Sequence, residues 1–87
     1  MAQVHIPALL RPVCEGNDSV QADGRTVAAV VDAIDRRFPG FRERIVASDQ
    51  LRPDLAVAVD GEIAPLGLRA PVRPGSEVSF LTAVQGG

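Results

Sequence analysis

The sequence predicts an α+β domain in which one main helix packs across one face of a mixed sheet. Two observations carry this expectation. Val27, Val30, Val31, Ile34 and Phe38 fall on a single stripe of 3.6-residue period. Short extended segments precede that stripe and runs of strand length follow it, the longest coming last. Sheet and helix then form two layers around one core. At 87 residues the chain has room for little more, since it buries only about 60 to 65% of its unfolded surface.

The elements follow in order. Residues 3–10 begin with period-2 alternation, Val4 and Ile6 on one face and His5 on the other, and read as a first strand. Pro7 lacks a ladder donor and makes that strand irregular or only partly paired beyond it. Residues 11–18, with Pro12, Gly16 and Asn17, read as a connecting loop, and Ser19 to Ala22 as a second strand ended by Asp23-Gly24. Together they make a hairpin. Thr26 supplies an N-cap to the helix, and Ala29 stands where a capping box would place Glu. Asp32, Asp35, Arg36 and Arg37 face mostly solvent, and Pro39-Gly40 stops the helix.

Phe41, Ile45 and Val46 suggest a further helical turn, and Ser48 to Asp54 a polar loop. Leu55 to Val59 has the length of a strand, and Asp60-Gly61 turns it into Glu62 to Ala64 as a second hairpin. Pro65, Gly67, Pro71, Pro74 and Gly75 punctuate an irregular stretch. Glu77 to Val84 forms the final strand, with Val78, Phe80, Thr82 and Val84 toward the helix and Ser79, Leu81 and Ala83 outward. Phe80 is the expected core residue. No repeat or linker divides the chain, so residues 1–87 are expected as one domain with a flexible tail at 85–87.

Composition excludes several function classes. A 46% hydrophobic and 23% charged chain of net charge −2 is globular, and its basic residues form no cluster suited to nucleic acid or an anionic membrane. The single cysteine, Cys14, allows neither an intrachain disulfide nor a four-thiolate metal site. The segment Met1 to Pro12 lacks the pattern of a signal peptide, no apolar run approaches a membrane span, and the cytoplasm is the expected location. Lysine is absent, where average usage of roughly 6% predicts about five. Ala, Arg, Val, Gly and Pro are plentiful, as GC-rich coding would produce. Either way, no side-chain amine on one copy can receive an acyl group from another.

Candidate chemistry is sparse until the end of the chain. His5 stands without metal-ligand partners and reads as a surface residue. Cys14 has no neighbouring His or second Cys to activate it and reads as a passive loop thiol. Asp60 and Glu62 flank a turn and are expected to be solvated. No nucleophile elbow, phosphate-binding loop or dinucleotide fingerprint is present, so neither a catalyst nor a bound cofactor or metal is expected. The last residues, Gln85-Gly86-Gly87, are different: two terminal glycines arise by chance at roughly 0.5% from average usage. Glycine threads a narrow channel because it has no side chain and accepts nearly any backbone conformation. An ATP-dependent enzyme can turn such a carboxylate into an acyl-adenylate, from which sulfur displaces AMP to leave a nucleophilic thiocarboxylate.

The strand–strand–helix–strand order, the final Val78 to Val84 strand and Gln85-Gly86-Gly87 together resemble the ubiquitin-like β-grasp sulfur carriers of the MoaD/ThiS family. Ile6-Pro7-Ala8-Leu9-Leu10-Arg11-Pro12, followed by Gly16, is similar to the branch that carries sulfur for cysteine biosynthesis. The resemblance implies that Gly87 is adenylated by an E1-like enzyme and receives sulfur from a donor as a thiocarboxylate. A pyridoxal-phosphate-dependent cysteine-synthase-like enzyme is then the expected acceptor, and a JAMM-type metalloprotease the releasing enzyme. Relatives also serve siderophore, thiamin, molybdopterin and tRNA pathways. Recognition is expected to use Val84, Gln85 and Gly86 of the tail, with Leu81, Ala83 and Arg11 as docking residues. Two alternatives share the Gly-Gly terminus: a ubiquitin-like protein modifier, and the small non-catalytic subunit of a molybdopterin-synthase-like complex.

Overall fold

The computed structural model describes residues 1–82. Their strands are β1 (Ala2–His5), β2 (Ser19–Ala22), β3 (Val46–Ala47), β4 (Gln50–Leu51), β5 (Leu55–Val59), β6 (Glu62–Ile63) and β7 (Glu77–Thr82). Two α-helices, α1 (Val27–Arg37) and α2 (Phe41–Ile45), lie between β2 and β3. The main sheet has the order β2-β1-β7-β5-β6. Its central pair, β1 and β7, is parallel with His5 opposite Ser79, and the other pairs are antiparallel. This is the predicted mixed sheet.

The stripe of α1 covers one face. Val27, Val30, Val31 and Ile34 are buried against Val4, Val20, Val57, Val78 and Phe80, and each fully buried aliphatic side chain contributes about 1.5–3 kcal/mol. Thr26 caps the helix as expected, its Oγ1 accepting a hydrogen bond from the Ala29 amide at 3.2 Å. Asp35 does more than face solvent: its Oδ1 accepts from the amides of Gly40 (3.2 Å) and Arg42 (3.0 Å) and so holds the start of α2. The helical turn expected around Phe41 and Ile45 is α2, both side chains being fully buried.

Four expectations are corrected. The first strand ends at His5 rather than Leu10, because beyond Pro7 the chain turns into a 3-10 segment, Ala8–Cys14, begun by the Leu10 amide donating to Pro7 O at 2.9 Å. That segment folds inward, so Cys14 is a core residue with no exposure rather than a loop thiol. Within the polar loop, β3 and β4 pair in a two-residue hairpin whose central residues, Ser48 (φ 52°) and Asp49 (φ 62°), adopt the left-handed region without glycine. Thr82, placed toward the helix by alternation, is exposed at the end of β7, where the core has run out.

Candidate functional site

β7 is the inner strand from which the tail departs. It is held on both sides, by β1 along three residue pairs from Gln3↔Glu77 to His5↔Ser79 and by β5 along five residue pairs from Val59↔Val78 to Leu55↔Thr82. Its start is fixed by Asp60. That residue sits in the left-handed region (φ 52°) at the β5–β6 turn, accepts the Glu77 amide on Oδ1 at 2.9 Å, and accepts the Ser76 hydroxyl on Oδ2 at 3.0 Å. Asp60 is therefore a structural acceptor and not the freely solvated carboxylate expected; Glu62 is exposed.

The face of the sheet away from α1 is open. Directly paired residues share a face, so Ala56 with Leu81, and Ala58 with Ser79 and Ile63, lie on it together. Leu81 is 42% exposed and Ile63 60%, giving an apolar strip that runs from the end of β7 to the β6 edge. On its β1 side the same face carries His5, whose Nε2 lies 2.9 Å from Glu77 Oε1; His5 is thus the surface residue expected. Arg11 is exposed, and its Nε donates to Ile6 O at 3.2 Å. Because β1 and β7 are parallel, that anchor places Arg11 at the end of the sheet where β7 stops. Leu9, 73% exposed in the 3-10 segment, belongs to the same end.

Of the predicted docking residues, the structure thus brings Leu81 and Arg11 to one end of the molecule. Ala83, Val84, Gln85, Gly86 and Gly87 lie outside the described residues. Sequence reasoning missed Ala56, Ala58, Ile63 and Leu9; the strand alternation that found Leu81 becomes informative for them once the pairing register is known. A groove of about 490 Å3 between β4, β5 and the 64–69 turn is lined by Leu51, Leu55, Leu66 and Leu68 together with the polar Asp49 and Arg69. Among the described residues no three His, Cys, Asp or Glu side chains gather as a metal site, and no helix is long and apolar enough to cross a membrane. Burial pushes the Cys14 thiol above its ordinary pKa, an effect partly opposed by the charge of Arg37.

Comparison with known proteins gives this geometry its context. The chain is 33% identical over 89 aligned positions to the sulfur carrier protein CysO of Mycobacterium tuberculosis, covering 97% of this chain and 96% of that relative. CysO in the Amycolatopsis orientalis BexX/CysO complex superposes with a TM-score of 0.93 at 35% identity, each chain covered completely. The small archaeal modifier protein 1 of Haloferax volcanii superposes with a TM-score of 0.70 at 28% identity, covering 95% of this chain and 97% of that one. The architecture is the ubiquitin-like β-grasp. The ThiS family model matches residues 4–87, nearly the whole chain and through both terminal glycines, and the protein belongs to the ThiS family.

Proposed function

We propose that the chain is a cytoplasmic sulfur carrier whose working group is the carboxylate of Gly87. The observation that carries this reading is the family match through residue 87, joined to near-complete coverage of a relative named as a sulfur carrier. An E1-like enzyme adenylates the carboxylate: a Gly87 oxygen attacks the α-phosphorus of ATP and pyrophosphate leaves. Hydrosulfide released by the donor then attacks the acyl carbon, the C–O bond to AMP breaks with the electron pair leaving on AMP, the sulfur gives its proton to water, and a thiocarboxylate remains. The role of this chain is presentation. The paired β7 holds the tail's root, Gly86 and Gly87 enter a partner's channel without side chains, and Leu81, with Leu9 and Arg11 at the same end, offers a surface for docking. The cysteine branch supplies the acceptor, a pyridoxal-phosphate-dependent cysteine-synthase-like enzyme, and a JAMM-type metalloprotease to release the product.

Mass spectrometry of the intact chain and of its C-terminal peptide tests this, after incubation with the adenylating enzyme, ATP and a sulfur source, with a thiol-alkylating reagent as trap. ATP-dependent alkylation at Gly87, lost when Gly87 is deleted, is the expected result. The likeness to an archaeal modifier protein favours a second reading, a protein modifier. That reading requires conjugates to lysines of other proteins that survive boiling in denaturant.

A further inference from the structure

The outer edge of β5 is only partly covered. The Ala64 amide donates to Val57 O at 2.9 Å, so Leu55, Val57 and Val59, which alternate with Ala56 and Ala58, turn their backbone groups away from β7. β6 pairs with Ala58 and Val59 and stops at Ile63. Beyond it the chain diverges, and Ala64 O accepts the Gly67 amide at 3.1 Å instead of answering Val57. The Leu55 amide is taken by Arg52 O at 2.9 Å. Two backbone groups on this edge, Leu55 C=O and Val57 N–H, have no hydrogen-bond partner among the described residues. Both residues line the groove of about 490 Å3, and Val57 is only 1% exposed. A buried backbone donor without a partner is rare.

We infer that this groove captures the C-terminal end of a partner polypeptide, running parallel to β5. The two groups set the direction. An antiparallel neighbour exchanges both bonds with a single residue, and Leu55 has already used its N–H and Val57 its C=O. A parallel neighbour instead places one residue opposite Ala56, its N–H donating to Leu55 O and its carboxyl oxygen accepting from Val57 N–H. Ala64 stands opposite Val57, where the next residue of such a segment would lie, so the segment ends there and the accepting oxygen belongs to a terminal carboxylate. Arg69 supplies the matching charge. It lines the same groove, is exposed, and its guanidinium has no hydrogen-bond or ion-pair partner among the described residues, whereas Asp49 lies 3.6 Å from Arg42. The penultimate residue, opposite Leu55, shares its face and meets the groove's other leucines, Leu51, Leu66 and Leu68, so it is apolar. The inference does not depend on the sulfur-carrier reading.

The test titrates the isotope-labelled full chain with the peptide acetyl-Gln-Ser-Leu-Ala, its carboxylate free, and follows backbone amides by NMR. A saturable shift is expected at Val57, with smaller shifts at Gly67 and Arg69 and none at Gln3 or Gln21 on the far strands. Amidating the carboxylate, or methylating the nitrogen of the last residue, is expected to weaken binding about tenfold, since each removes a hydrogen bond made in the groove. R69Q is expected to weaken the free acid about fivefold and to leave the amidated peptide unchanged. The inference is overturned if the peptide does not shift Val57, if the amidated peptide binds as tightly as the acid, or if R69Q binds both forms as the unmutated chain does. A Val57 resonance that moves on dilution of the chain alone, or when residues 83–87 are removed, would make the chain's own end the occupant and overturn the assignment to a partner.

Discussion

Phe41 and Phe80 meet edge to face, their ring centroids 6.2 Å apart and their planes inclined by 75°. The contact ties α2 to β7, the strand that carries the tail. Both rings are essentially fully buried. Phe80→Ala is expected to cost about 3–5 kcal/mol, a large share of the roughly 5–15 kcal/mol available to a whole domain. Urea denaturation followed by far-UV circular dichroism checks this; a loss below about 1 kcal/mol would show that the core closes without the ring.

Gly24 is set by a close approach to α1. A Cβ built there would lie 2.7 Å from Val30 N and 2.9 Å from Ala29 C, both backbone atoms of the first helical turn. Backbone cannot rotate aside as a side-chain end can, so Gly24→Ala forces β2 and α1 apart at about 1–3 kcal/mol. A thermal scan should show a fall of roughly 4–8 °C per kcal/mol. An unchanged Tm would mean that the 23–26 connection slides freely over the helix.

Much of this was legible because it is local. The α1 stripe, the Thr26 cap and the Asp60-Gly61 turn each depend on residues a few positions apart. What escaped depends on distant partners. Cys14 looks like a loop residue until the 3-10 segment folds onto the core, and Ser48 and Asp49 take left-handed conformations that no glycine announces. The apolar run Leu55–Val59 does not disclose which of its faces is open. Pairing with Leu81 and Ile63 does, and that is why the apolar strip was half-read as Leu81 while Ala56, Ala58 and Ile63 were missed. Gly86 and Gly87 stand out in the sequence by residue type and position, and the role proposed for them is chemical and rests on no packing.

Cys14 gives the protein a distinctive response to thiol reagents. Buried with a raised pKa, it should resist alkylation in the native chain and react on unfolding. The sign for stability follows. The folded state holds the thiol proton to higher pH than the unfolded chain, so stability is unaffected below the ordinary thiol range and falls as pH rises through and beyond about 8.5. Denaturation midpoints of the unmutated chain and Cys14→Ala, followed from neutral to alkaline pH, should show a thiol-dependent fall that the variant lacks. Fast native labelling of Cys14 at neutral pH would contradict the burial. The same burial makes any rapid native alkylation diagnostic for a thiocarboxylate at the other end of the chain.

Leu81 should separate folding from recognition. It is 42% exposed on the open face, so Leu81→Asp should change stability by no more than about 0.5 kcal/mol. As an apolar anchor beside the tail's root, its loss on a docked surface is expected to cost about 2 kcal/mol or more, a fall of about 30-fold in kcat/KM for adenylation. Ile63 is the matched comparison: it lies on the same face and is 60% exposed, but at the β6 edge, two strands away from β7. A docking surface centred on the tail makes Ile63→Asp the milder change, below tenfold. Equal losses at both positions would extend the docking surface across the whole apolar strip. If Leu81→Asp is adenylated as readily as the unmutated chain, the open face is not where the activating enzyme binds, and the groove beside β5 becomes the surface to mutate next.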